Sequence, residues 1–231
     1  RVRQQDFSDD AVNYALDVAL SDLEASDTVL IVGSAIRREQ PILAHRIRQA
    51  ALSGTRVNEL NFFENDLLMP VDTQLALNIE SMLDHLSGIA KALFPLAKTD
   101  ESAWTKVLSG VVPEAADQTI AMQLSNADKA TIIVGDLAKN HPDASKIKAV
   151  LALIARLSGS ILLVLPTANS KAAQLVGLLP KTENGLNAQQ SFQADLKSYV
   201  LLGLEPELDS ADPVQALSAL NNADCVVAMH S

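Results

Sequence analysis

One phrase recurs along this chain and limits what it can fold into. In Ser26-Asp27-Thr28-Val29-Leu30-Ile31-Val32-Gly33, a small residue and an aspartate precede a β-branched and aliphatic run that ends on glycine. Ala127-Asp128-Lys129-Ala130-Thr131-Ile132-Ile133-Val134-Gly135 repeats the phrase, and Ala223-Asp224-Cys225-Val226-Val227-Ala228-Met229 begins it a third time. Each run is short, apolar without alternation and bounded by turn residues, the pattern of a strand buried on both faces. Ile161 to Leu165 and Tyr199 to Leu202 are two further runs of this kind.

Helical periodicity fills the spaces between. Ala11, Leu16, Ala19, Leu20 and Leu23 share one helix face before the first strand. Ile42, Leu43, Ile47, Ala50 and Ala51 mark another, with Pro41 placed at its first turn. The strongest pattern runs from Asp143 to Leu157, with Pro142 before it and Gly159 after it. A long apolar-patterned stretch covers Thr73 to Leu93 and a shorter one Val214 to Leu220. Strand, helix and strand in alternation mean parallel strands joined by right-handed crossovers. The expected fold class is α/β, an open, doubly wound, mostly parallel sheet of Rossmann-like units. Two lobes are expected, dividing near Pro95 to Gly110: a first α/β unit over 1–95 and a second over 96–231, both parts of one larger domain. Pro180 to Asn187 is the most linker-like segment.

Charge and composition narrow the partners. Against 18 Lys and Arg stand 28 Asp and Glu, a formal charge of −10. Nucleic acid, which needs a basic face, is not expected as a partner on this count. The basic cluster Arg37, Arg38, Arg46 and Arg48 suits a solvated helix face, an acidic protein surface or a small anion. No run approaches the roughly 20 apolar residues of a membrane helix, so direct membrane insertion is not expected. Cys225 is the only cysteine, too few for a disulfide, an iron–sulfur cluster or a structural zinc. The chain opens on Arg1 and closes on an apolar run, and it is read as a piece of a longer one.

Several ordered phrases carry a family resemblance. They are Arg3-Gln4-Gln5-Asp6-Phe7, Val32-Gly33-Ser34, Arg37-Arg38-Glu39-Gln40-Pro41 and Ala44-His45-Arg46-Ile47-Arg48-Gln49-Ala50. Gly135-Asp136, His141-Pro142, Pro166, Ala168-Asn169-Ser170, Gly177 with Pro180, Gly185-Leu186-Asn187-Ala188 and Tyr199 through Asp209 continue the series. Together they resemble the molybdopterin-oxidoreductase-like region of the large iron–sulfur subunit of bacterial NADH:quinone oxidoreductase, respiratory complex I. The resemblance implies a parent chain with 2Fe-2S and 4Fe-4S clusters in a cysteine-rich part preceding Arg1. It implies that the present segment holds no cofactor and packs against other subunits of the peripheral arm, on the cytoplasmic side of the inner membrane. The segment alone is then expected to be non-catalytic.

The sequence departs from working molybdopterin enzymes in one place. Those enzymes carry an Asp-Pro-Arg phrase at a strand end after the first crossover, and here the stretch reads Val57-Asn58-Glu59-Leu60-Asn61-Phe62-Phe63-Glu64. Without that acid and arginine the strand end lacks its grip on a ribose and a phosphate. The candidate cofactor-binding positions are then Gly33, Ser34 and Gly135, at strand ends that lead into helices, where backbone amides could receive a phosphate. The three-glycine fingerprint is missing, and a lone glycine more often just makes the turn. Two rival readings are a molybdenum or tungsten pterin oxidoreductase such as a formate dehydrogenase, and a free-standing nucleotide-binding domain.

No other residues form a convincing constellation. His45, His85, His141 and His230 lack metal-ligand spacing, so no metal ligand is assigned, and His141 before Pro142 suggests a turn role. Glu205, Glu207, Asp209 and Asp212 form an acidic loop bounded by prolines, read as a surface connection and not as catalytic carboxylates. Cys225, inside the third strand phrase, is expected in the core. No catalytic residue is assigned.

Overall fold

The computed structural model describes residues 23–97, 102–178 and 185–230. Of the helix expected over 11–23 only Leu23 falls within them. The Arg3 to Phe7 phrase and Pro180 lie outside. The chain divides into two units, one over residues 12–167 and a second that holds residues 168–231.

The first unit is built on five parallel strands in the order β3-β2-β1-β4-β5. They are β1 (Thr28–Val32), β2 (Arg56–Asn61), β3 (Thr73–Ala76), β4 (Ala130–Val134) and β5 (Ile161–Val164). The first two copies of the recurring phrase lie side by side, Thr28 opposite Ala130 and Val32 opposite Val134. The Asp27 carboxylate accepts the Lys129 N–H at 2.9 Å, which sets the two copies level.

Helices cover both faces of this sheet. They are α1 (Ile36–Glu39), α2 (Pro41–Leu52), α3 (Ser81–Leu93), α4 (Ser102–Val107), α5 (Ala115–Asn126), α6 (Asp136–Lys139) and α7 (Ala144–Ser158). Alternation along the strands divides the core. Val29, Ile31, Ile133 and Leu163 pack with Leu43, Ala44 and Ile47 of α2. Leu30, Val32, Ile132 and Val134 pack with Leu86, Ile120 and Ile154 of α3, α5 and α7. A strand covered on both faces has no polar side, which is why these runs read as continuous apolar sequence. The doubly wound α/β fold stands as expected. Helix α7 begins one residue after Asp143 and ends on Gly159, whose φ of +72° suits a residue without Cβ.

Two expectations need amending. The stretch from Thr73 to Leu93 is two elements: β3, then α3 after a turn in which Asn78 Oδ1 accepts the N–H of Ser81 at 2.8 Å. A division at 95/96 would cut through the sheet, because β1 to β3 and β4 to β5 hydrogen-bond into one layer. The pairing of β1 with β4 links residues that lie far apart in sequence, and no local signal near Pro95 reports it.

The second unit contains α8 (Ser170–Leu175), α9 (Ala188–Gln193), β6 (Ser198–Leu202), α10 (Pro206–Asp209), α11 (Pro213–Asn221) and β7 (Cys225–Met229). Strands β6 and β7 pair in parallel, Ser198 opposite Cys225 and Leu202 opposite Met229. The third copy of the phrase therefore forms a strand, but in a different sheet from the first two. Cys225 is exposed, contrary to the core position expected from its pattern. Among the described residues β7 pairs with β6 alone, and all five of its residues are exposed.

Candidate functional site

In an open parallel sheet the crossovers leave a crevice at the carboxyl ends of the strands, where the winding reverses. Here that point lies between β1 and β4, and all three candidate positions, Gly33, Ser34 and Gly135, meet there. Gly33 has φ of +54°, and a Cβ on it would sit 2.6 Å from the Ala138 backbone nitrogen. A Cβ on Gly135 would sit 2.3 Å from Ser34 Cβ. The Gly33 carbonyl accepts N–H groups from Leu137 at 3.0 Å and Ala138 at 3.3 Å. These glycines let the turn after β4 seat directly on the turn after β1.

Two of the backbone amides at this crevice are engaged by a side chain. Glu39, at the end of α1, reaches back across the crevice. One carboxylate oxygen accepts the Ala35 N–H at 2.6 Å, and the other accepts the Asp136 N–H at 3.0 Å. The side chain bridges the loops after β1 and β4 as an internal anion. Nearby, Lys139 is engaged by the Leu165 carbonyl, the Asp136 carboxylate and the Thr167 hydroxyl, the last at 2.8 Å.

A second polar group lies at the end of β2. Asn58, Glu59 and Asn61 stand in a strand paired on both edges, and all three are buried. A buried polar side chain must find partners. Glu59 Oε1 accepts Asn61 Nδ2 at 3.1 Å and Asn65 Nδ2 at 3.0 Å, and Oε2 accepts Gln74 Nε2 at 2.7 Å. Asn61 Nδ2 also donates to the Ser34 carbonyl at 2.9 Å, tying β2 to β1. The Ser34 hydroxyl and the Asn58 side-chain carbonyl are buried without a partner. Three amides thus enclose a carboxylate with no cation among its hydrogen-bond partners. The run Asn58-Glu59-Leu60-Asn61 could have signalled this, since polar residues inside a central strand need a built environment.

The remaining sequence candidates have local roles. Arg37 donates to the Asp66 carbonyl at 2.6 Å, Arg48 to the Leu68 carbonyl at 2.8 Å, and Arg46 pairs with Glu24. His45 is exposed. His141 is buried, with Nδ1 accepting the Asp143 N–H at 2.9 Å and Nε2 2.9 Å from the Ile79 carbonyl, so the turn role holds. His85 Nδ1 lies 2.8 Å from Asp117, whose other oxygen accepts the Glu114 N–H at 2.9 Å and caps α5. His230 faces Glu205 at 3.2 Å. Asp209 and Asp212 accept the N–H groups of Glu205 and Gln215, both at 2.9 Å, and cap α10 and α11. Among the described residues no group of three or more His, Cys, Asp or Glu could hold a metal ion. No described helix is long and apolar enough to cross a membrane.

A doubly wound sheet with its polar groups at the carboxyl edge is common to many families, and comparison decides among them. The family model described as molybdopterin oxidoreductase matches residues 3–230. The chain belongs to the molybdopterin oxidoreductase family. Among curated proteins none matches it. A similar solved structure is a chain from the formyltransferase/hydrolase complex (FhcABCD) of Methylorubrum extorquens, determined in complex with methylofuran. It is 16% identical with a TM-score of 0.53, over 92% of this chain. The present chain spans 54% of the length of that one, about half. At this identity the likeness is one of fold.

Membership raises the question of the pterin cofactor. A nucleotide phosphate docking between β1 and β4 would meet the Glu39 carboxylate, like in charge, on the Ala35 and Asp136 amides. Such a ligand would have to displace that side chain, and Lys139 is engaged by Leu165, Asp136 and Thr167.

Proposed function

We propose that this chain is a cofactor-free scaffold domain in the large iron–sulfur subunit of a bacterial NADH:quinone oxidoreductase, packed against other subunits of the peripheral arm. The observation that carries the loss of the cofactor is the Glu39 bridge. A side chain of the protein accepts two backbone amides at the crevice, those of Ala35 and Asp136, and a second negative charge there is repelled. The residues at the crevice therefore do not suit a pterin nucleotide. The Asp-Pro-Arg phrase is replaced by a strand end whose one acid, Glu59, is wrapped in amides and fully buried.

In the proposed role the domain positions neighbouring chains while electrons pass through clusters elsewhere in the parent chain. The placement in complex I rests on the ordered phrases from Arg3 to Asp209. The similar chain from Methylorubrum extorquens is likewise part of a multi-subunit assembly, which agrees with a role in contacts between subunits. A cytoplasmic site, peripheral to the inner membrane, follows from the complex and belongs to the same proposal.

The family match itself favours one rival, a domain with a working pterin site, as in a formate dehydrogenase. Elemental and pterin analysis of the native chain that contains this segment separates the two. Iron in cluster amounts, with neither molybdenum, tungsten nor pterin, is the expected result. Stoichiometric molybdenum or tungsten with pterin would overturn the scaffold reading.

A further inference from the structure

The loop between β2 and β3 encloses an open pocket of about 540 Å³ at the carboxyl edge of the sheet. Its polar lining is Glu64, Asn65, Asp66 and Gln74, and Met69 and Val71 supply apolar wall. What the pocket can bind is set from beneath by Glu59. Gln74 Nε2 donates to Glu59 at 2.7 Å and to the Asn65 carbonyl at 2.6 Å. Asn65 Nδ2 donates to Glu59 at 3.0 Å and to the Ser34 carbonyl at 3.4 Å. Every one of these partners is an acceptor, so only the NH2 side of each amide can face it. With both NH2 groups directed onto Glu59 and backbone carbonyls, each amide keeps its oxygen for other partners. The side chains that line the pocket therefore offer acceptors: two amide oxygens and the Glu64 carboxylate, while Asp66 already accepts the Leu68 N–H at 3.0 Å and faces Arg37.

The outside of the same loop shows which group satisfies acceptors of this kind. Arg37 donates to the Asp66 carbonyl at 2.6 Å, with its guanidinium 3.8 Å from the Asp66 carboxylate, and Arg48 donates to the Leu68 carbonyl at 2.8 Å. Two guanidinium groups of the chain already dock on the loop from the side of α1 and α2. A guanidinium offers five donors in one plane and no acceptor, which matches a lining of acceptors.

We propose that this pocket receives the guanidinium of an arginine side chain presented by a partner polypeptide. Glu64 supplies the charge contact, the Asn65 and Gln74 oxygens take further N–H groups, and Met69 and Val71 cover the arginine's methylenes. That the carrier is a partner chain rests on the scaffold reading; the preference for guanidinium does not.

The test is a titration of the 15N-labelled 231-residue chain with N-acetyl-arginine amide, followed by NMR. N-acetyl-citrulline amide serves as the neutral analogue of the same shape. Expected are saturable shifts of the Asn65 and Gln74 side-chain amides and of the 64–71 backbone, with a dissociation constant on the order of millimolar. Citrulline should bind about tenfold more weakly. Glu64→Lys, at an exposed position outside the Glu59 cage, should abolish the shifts with the rest of the spectrum intact. No saturable shift, equal binding of citrulline, undiminished binding to Glu64→Lys, or saturation of the same signals by inorganic phosphate would each overturn the proposal. The scaffold reading is judged separately, by the metal and pterin content of the parent chain.

Discussion

Replacing Glu39 with glutamine tests whether the crevice between β1 and β4 is held by an internal anion. In the native chain its two oxygens accept the Ala35 and Asp136 N–H groups at 2.6 and 3.0 Å. Glutamine keeps one acceptor and turns an NH2 group toward the other N–H, so one contact is lost and one donor is left facing a donor. A hydrogen bond to a charged acceptor contributes about 1.5–3 kcal/mol. Glu39 is half-buried, so water recovers part of this, and the expected loss is about 2 kcal/mol. In a unit of this size each kcal/mol moves the melting point by about 2–4 °C, so the midpoint should fall by roughly 4–8 °C. Trp104 is the only tryptophan and packs against the larger core cluster of the first unit, so its fluorescence reports on that unit directly. Glu39→Ala vacates the acceptor positions altogether. Acetate should raise its midpoint relative to chloride at equal ionic strength and leave the native chain unmoved. A Glu39→Gln variant within about 0.5 kcal/mol of the native chain, with no acetate response in Glu39→Ala, would refute the internal-anion reasoning.

Four further outcomes follow from the packing. Gly33→Ala combines a left-handed backbone with a Cβ only 2.6 Å from the Ala138 nitrogen, and unfolding by urea should show a loss of about 3 kcal/mol. Asp117→Ala strips His85 and the Glu114 N–H of their buried partner, at a cost of about 3 kcal/mol. Gly88→Ala alone places a methyl 2.2 Å from the Asp117 carboxylate and destabilises, whereas in the Asp117→Ala background it fills vacated space; a double-mutant cycle should therefore show strong non-additivity. Cys225 is exposed in the described structure and should react with a thiol reagent in the folded chain at the rate of a small-molecule thiol, with no lag for unfolding.

The strands were legible because each leaves an apolar run: β1, β4, β5, β6 and β7 all lie where the runs do, although only β1 and β4 have the burial on both faces expected of all of them. The inner helix of the first crossover and the long helix after His141 were legible for the same reason, through periodicity and proline placement. Strand β3 was not, because it is short and runs through one continuous pattern with the helix that follows. The candidate positions Gly33, Ser34 and Gly135 do converge in space, yet what each does there was hidden. Their closeness to Ala138 and to one another is a contact between two turns, and a sequence shows each turn separately.

Local chemistry determined the parallel α/β class, the capping of helices by Asp117, Asp209 and Asp212, and the turn at His141, since each rests on neighbours within a few residues. Assembly decided the rest. The third copy of the strand phrase has the same run of β-branched and aliphatic residues as the first two, but it pairs in another sheet and stays exposed. Glu39 lies four residues from Ala35 and ninety-seven from Asp136, so half of its bridge exists only once β4 has docked beside β1. Glu59 likewise gathers amides from two later segments, the loop at Asn65 and the strand at Gln74. Sequence pattern marks which runs become strands; only the packed sheet decides which of them are buried, and brings to a buried carboxylate the partner that satisfies it.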